Sequence, residues 1–208
     1  MSRPATYQPS LFGDAEPSID ETFGGAQRVH LDETAWIELV PGWVRGADRL
    51  FESLRDDRPW AQRTRRMFDA EAIEPRMTAR WELASGKPLE PEILERMRLT
   101  LGRRYGVVFD SAAFNFYRDG RDSVAWHRDR IRREIAEPIV PLVSLGEERK
   151  LQFRPFGGGA SRAFAVGHGD LLVTGGRTQR TWEHAVLKVA KAGPRISVAF
   201  RWARQPYA

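Results

Sequence analysis

Residues 195–202 read RISVAFRW, and this octet decides the fold. Ile196, Val198, Phe200 and Trp202 occupy one set of alternate positions; Arg195, Ser197, Ala199 and Arg201 occupy the other. A period of two marks a strand with one face on a core. The second face is the informative one. Two arginines with only small side chains between them make a poor outer surface but a good floor for a pocket that binds a small dianion. The alternative is a pair of exposed arginines on an edge strand.

Upstream, seven further β-rich runs alternate with turn signals: AAFNFYRDG (112–120), VAWHRD (124–129), IVPLVSLG (139–146), KLQFRPFGGG (150–159), AFAVGHG (163–169), DLLVTGG (170–176) and TWEHAVLKV (181–189). So many short strands in the C-terminal half predict an antiparallel barrel or jelly roll. Before them, 46–57 (GADRLFESLRDD) predicts a helix with Leu50, Phe51 and Leu54 on one stripe. A second helix is expected over 90–106, with Pro91 near its start and Gly106 past its end. Residues 1–28, rich in Pro, Gly, Ser and acidic groups without a sustained period, predict a mobile tail. The expected fold class is α+β, mainly β, with two helices and a few strands wrapped around a C-terminal β sandwich.

The 208 residues suffice for one good-sized core, and 41% of them are hydrophobic, ordinary for a soluble domain. No run approaches the length of a membrane span, and the N-terminus lacks the order of a signal peptide. A monomer in the cytoplasm, the bacterial cytosol, is expected. There is no cysteine, so thiolate chemistry is excluded and any metal must take His and carboxylate ligands. The net charge is +5, and 29 of the 33 basic residues are arginine. That suits phosphate, although a GC-rich genome would give the same bias.

On an extended run His127 and Asp129 face the same way and can share an ion. His184, on a later expected strand, supplies a third ligand. Two histidines and a carboxylate that leave open positions form the facial triad of non-haem Fe(II) oxygenases. His168 and Asp170 repeat the spacing, but glycines flank His168 and point to a turn. In FNFY, Asn115 and Tyr117 share a face. With Arg195 and Arg201, this amide and phenol could hold a dicarboxylate beside the metal.

Asn115-x-Tyr117-x-x-Gly120, His127-x-Asp129, a distal His184 and Arg195-x5-Arg201 together resemble the AlkB family of 2-oxoglutarate- and Fe(II)-dependent dioxygenases, over roughly residues 60–204. The resemblance implies a double-stranded β-helix (jelly-roll) core and oxidative dealkylation of damaged nucleic-acid bases, with release of succinate, CO2 and an aldehyde. It implies His127, Asp129 and His184 as iron ligands. Arg195 would pair with the distal carboxylate of 2-oxoglutarate, helped by Asn115 and Tyr117, with Arg201 near its other end. Arg76, in EPRM, would belong to a nucleotide-recognition lid. One catalytic domain is expected, with helices and lid in 29–110 and the dioxygenase core in 111–208.

Arg128, Arg130, Arg132 and Arg133 could grip phosphates beside the opening. DNA is the expected partner ahead of RNA. Many repair members carry an acid two positions after the iron-binding Asp, where it contacts the damaged base; here that position is Ile131. The departure implies a weaker preference for cationic methyl lesions. An oxygenase acting on RNA, a protein or a small molecule is the competing reading, and a metal-free DNA-binding module is a third. In the tail, Gln8, Leu11 and Phe12 resemble the short peptides that dock on bacterial sliding clamps, or else anchor the N-terminus on the protein itself.

Overall fold

The computed structural model describes residues 15–67 and 70–202, the side chains of 65–67 and 70–72 excepted. The N-terminal half comprises β1 (Ser18–Ile19), β2 (Gln27–His30), β3 (Ala35–Val40), β4 (Val44–Arg45), α1 (Ala47–Asp57), β5 (Ala61–Met67), β6 (Ala70–Glu82) and α2 (Ile93–Tyr105). Then follow β7 (Ser111–Tyr117), β8 (Val124–His127), β9 (Val140–Gly146), β10 (Arg149–Pro155), β11 (Arg162–Val166), β12 (Leu171–Gly176), α3 (Thr178–Thr181), β13 (Trp182–Val186) and β14 (Arg195–Arg201). Each of the eight expected C-terminal runs contains a strand.

Antiparallel pairing builds an eight-stranded sheet in the order β2-β3-β12-β9-β14-β7-β6-β5, and a four-stranded sheet in the order β11-β10-β13-β8. This is the jelly roll. The octet at 195–202 sits inside the large sheet, between β7 and β9. Its apolar face meets the helices: Ile196, Val198 and Phe200 join Phe51, Leu54, Leu94, Met97 and Leu101 in one cluster. Each such large side chain contributes roughly 1.5–3 kcal/mol by leaving water. The opposite face of the large sheet looks toward the small one, where Ile37, Tyr117, Leu151, Phe153 and Leu172 form a second cluster. The strand period therefore separates a dry helical side from the side that carries the polar groups.

One expectation needs correction. Residues 15–28 are not a tail: β1 pairs with β4, and Ile19 and Phe23 are buried in the main cluster. Phe23 stacks on Trp43 at 5.7 Å between ring centroids. These anchors are single apolar residues set among turn formers, so no periodicity announces them. Gln8, Leu11 and Phe12 lie outside the described residues. The large sheet draws strands from both sides of residue 110, since β3 pairs with β12 and β6 with β7. Among the described residues no helix is long and apolar enough to cross a membrane.

Candidate active site

Register brings the two histidines together. β8 and β13 pair antiparallel with His127 opposite His184, and the imidazole centroids stand 4.2 Å apart. Asp129 lies just past the end of β8, where its N–H donates to the Gln179 amide oxygen, Oε1, at 3.1 Å. Its Oδ1 is 3.7 Å from His127 Nε2 and 3.9 Å from His184 Nε2. The three donor atoms could hold one metal ion. His127 Nδ1 lies 2.8 Å from the Ala125 carbonyl, so it carries the proton and leaves Nε2 as a lone-pair donor.

Electrostatics favour a cation there. Burial alone would raise the Asp129 pKa, but Arg201, His184 and His127 hold the carboxyl well below its ordinary range. Burial pushes His184 down to about 4 against the pull of Asp129. At neutral pH Asp129 is therefore an anion and His184 a neutral imidazole, the states in which these two groups bind a divalent ion.

The site opens into a cavity of about 660 Å³. Asn115, Tyr117, Ser197, Ala199 and Arg201 line one side of it, as the polar face of the octet requires. Arg201 Nε donates to Asp129 Oδ2 at 2.9 Å, which leaves Oδ1 directed at the histidines. Arg195 is not on the wall itself. It is fully buried, its Nε donates to Ser144 Oγ at 3.0 Å, and its guanidinium lies 5.2 Å from the Tyr117 ring centroid. Its Nη1 is buried with no hydrogen-bond partner. A dry guanidinium with a donor to spare calls for an anion, and a ligand carboxylate would supply it.

Arg76 Nε donates to Asn115 Oδ1 at 2.9 Å, and its Nη2 pairs with Glu74 at 3.2 Å. The hairpin β5–β6 that carries this pair is tied to the segment before β8, where Ser123 N–H donates to the Pro75 carbonyl at 2.9 Å, and within the hairpin Gln62 donates to the Glu74 carbonyl at 3.1 Å. Arg128 and Arg130 also line the cavity. Ile131 is not among the residues that line it. Its carbonyl instead accepts from Arg180 Nη1 at 3.2 Å.

Arg180 and Gln179 are the site residues that sequence reading missed. Arg180 also donates to the carbonyls of Arg132 and Ile135, and so ties down the loop after the His-x-Asp pair. Gln179 is buried and passes its Nε2 to Thr174 Oγ1 at 3.1 Å, fixing the oxygen that holds Asp129. Both ride on α3, a helix of four residues too short to show a period. Its place immediately before the strand of His184 was the only signal.

Comparison with known proteins agrees with this geometry. Residues 61–201 match the model of the 2OG-Fe(II) oxygenase superfamily, and the chain belongs to that family. Within it the relatives are of the AlkB type. The chain is 34% identical over 184 residues to Alpha-ketoglutarate-dependent dioxygenase alkB homolog 3 of Bos taurus, covering 78% of this chain and 64% of that protein. It is 29% identical to DNA oxidative demethylase ALKBH2 of Arabidopsis thaliana, covering 73% and 60% respectively. The chain thus spans a little under two thirds of the length of these relatives. The solved structure of OsALKBH1 shares the fold, with a TM-score of 0.61 at 14% identity over 84% of this chain and 99% of that one. The family's cofactors are Fe(II) and 2-oxoglutarate.

Proposed function

We propose that the protein removes alkyl groups oxidatively from nucleic-acid bases, with DNA as the substrate, as its relative DNA oxidative demethylase ALKBH2 is named for doing. The observation that carries this is the juxtaposition of the His127–Asp129–His184 donor set with an arginine-rich cavity. In this reading His127, Asp129 and His184 hold Fe(II), and the unsatisfied Nη1 of Arg195 receives the distal carboxylate of 2-oxoglutarate beside Tyr117. Held there, iron and 2-oxoglutarate would supply oxidation by O2, one oxygen atom going into a carbon–hydrogen bond of the alkyl group and the other into succinate as 2-oxoglutarate loses CO2.

The chain's own residues position and exclude. Arg201 keeps Asp129 ionised and turned toward the histidines. Asn115, held between Arg76 and Ser197, fixes an amide on the cavity wall. The β5–β6 hairpin, with Arg63, Glu74 and Arg76 on the wall, serves as the nucleotide-recognition lid. Arg128 and Arg130 at the rim meet phosphate, and the target base leaves its stack to enter.

The test is an anaerobic titration with Fe(II) and 2-oxoglutarate, then aerobic incubation with alkylated oligonucleotides and mass spectrometry of the products. Succinate should form in step with restored bases. Succinate formation that no nucleic acid stimulates would refute the assignment and favour a protein or small-molecule substrate.

A further inference from the structure

Cations line much of the cavity, and against one of them, Arg128, lies a bare aromatic ring that is not itself on the wall. Phe156 is 57% exposed, the only exposed aromatic side chain among the described residues. A phenylalanine left in water needs an explanation when it sits next to a site. The Arg128 guanidinium covers one face of the ring, with its carbon 3.6 Å from the centroid. That guanidinium is itself fixed, donating to the Arg180 carbonyl at 2.9 Å. The backbone is fixed as well, since Phe156 N–H donates to the Thr181 carbonyl at 2.8 Å. Beyond the ring come Gly157 and Gly158, at φ 91° and 116°, where an added Cβ would meet nothing within 4 Å. The approach to the ring is open.

Its position relative to the site follows from register. Phe153 lies opposite His184 in the small sheet, and Phe156 follows three residues later, roughly 10 Å on at the rise of a strand. Arg128 stands between His127 and Asp129 in sequence and lines the cavity. A second guanidinium–aromatic pair shares this rim: Arg154 lies 4.3 Å from the Trp126 ring centroid, and Glu183 holds it at 2.7 Å.

An apolar ring alone would suit a protein partner. A ring backed by arginine suits a ligand with flat faces and negative charge, which is a nucleic acid. Strandedness follows from stacking. In a duplex each base already has stacked neighbours, whereas an unpaired strand can turn a base face to the ring at little cost.

We propose that Phe156, backed by Arg128, is a stacking platform for an unpaired base next to the one that enters the cavity, and that it gives the enzyme a preference for single-stranded substrate. The inference rests on the nucleic-acid reading above. The test presents 1-methyladenine to the iron-loaded enzyme as a mononucleotide, in a single-stranded oligonucleotide and in a duplex. Phe156→Ala should lower kcat/KM on the single strand by about 10- to 100-fold, the range of one lost base–aromatic stack. It should leave the mononucleotide rate and the unfolding midpoint unchanged, and Phe156→Trp should retain single-strand activity. Anaerobic binding of an undamaged single strand, followed by fluorescence anisotropy, should weaken in parallel. An equal loss on mononucleotide and oligonucleotide would overturn the platform, because the ring would then shape the pocket. So would unchanged single-strand activity and binding, which would leave the ring for a protein partner. A wild-type enzyme that turns over 2-oxoglutarate but ignores all three substrates would instead overturn the nucleic-acid reading, and the platform with it.

Discussion

His127-x-Asp129 and His168-x-Asp170 share a spacing, and the fold gives them opposite work. In the first pair the backbone takes only one ring nitrogen, through the Ala125 carbonyl, and Asp129 keeps an oxygen turned toward two imidazoles. In the second pair every polar atom is spent on structure. His168 Nδ1 accepts the Gly146 N–H at 2.8 Å, and Nε2 faces Asp48 at 3.3 Å. Asp170 accepts from Gly42 N–H with one oxygen and from Gly167 N–H with the other, both at 2.8 Å. A motif's chemistry thus depends on what the surrounding backbone leaves unclaimed.

The severest test of that contrast removes the side chains. His127→Ala or Asp129→Ala should abolish turnover and Fe(II) binding. His168→Ala should keep both, while losing about 1–3 kcal/mol of stability in urea melts from the stranded Gly146 N–H. An active His127→Ala enzyme would end the metal assignment.

The next test asks whether unclaimed atoms elsewhere mark ligands too. Arg195→Ala should raise the KM for 2-oxoglutarate strongly, since an unpaired carboxylate in a dry pocket costs about 2–5 kcal/mol. Steady-state kinetics at saturating substrate give the answer; an unaltered KM would remove Arg195 from the cosubstrate site.

Gln179 tests support rather than ligation. Losing the amide that holds Asp129 N–H should weaken Fe(II) binding by about 10- to 100-fold, the usual scale for groups that orient a metal ligand. Asp170→Ala, which breaks two backbone bonds in the other pair, should destabilise the protein and leave iron affinity alone. If the two variants behave alike, the contrast between the pairs fails.

A gentler probe is pH. Burial lowers the His168 pKa, with Asp48 and Asp170 pulling the other way. The unfolded chain then binds that proton more readily than the folded one, so stability should fall as pH drops through about 6.5 and level off below the folded value. His168→Gln should flatten this part of the stability–pH curve; an unchanged slope would assign the acid sensitivity to other groups.

These contrasts show what sequence carries and what it does not. Strand alternation exposed both faces of residues 195–202, and with them the core side and the arginine side. It also suggested that His127 and Asp129 act together, although β8 ends at His127 and it is the bond from Asp129 N–H to Gln179 that sets the carboxylate beside the histidines. The match of His184 to His127 was only inferred, since register between β8 and β13 is a tertiary outcome. Gln179 and Arg180 stayed hidden for a related reason: each acts through a backbone group some fifty positions away or nearly so, and no local period encodes that. The anchoring of Ile19 and Phe23 was hidden by their isolation among turn residues.

Ile131 gives the smallest expected effect. From its position after the ligand pair, an isoleucine in place of an acid implied a shift away from cationic lesions. The structure turns its segment so that Arg180 holds the Ile131 carbonyl, and the side chain is not on the cavity wall. The wall does carry a carboxylate besides Asp129, that of Glu74 on the β5–β6 hairpin. A charge placed at 131 would therefore sit away from the base and be screened by the arginines around it. Ile131→Asp should change the ratio of rates on 3-methylcytosine and ethenoadenine by less than about twofold, within the range of surface substitutions. A marked gain on 3-methylcytosine would show that the loop turns its side chain inward when substrate binds, and would restore position 131 to the lesion site.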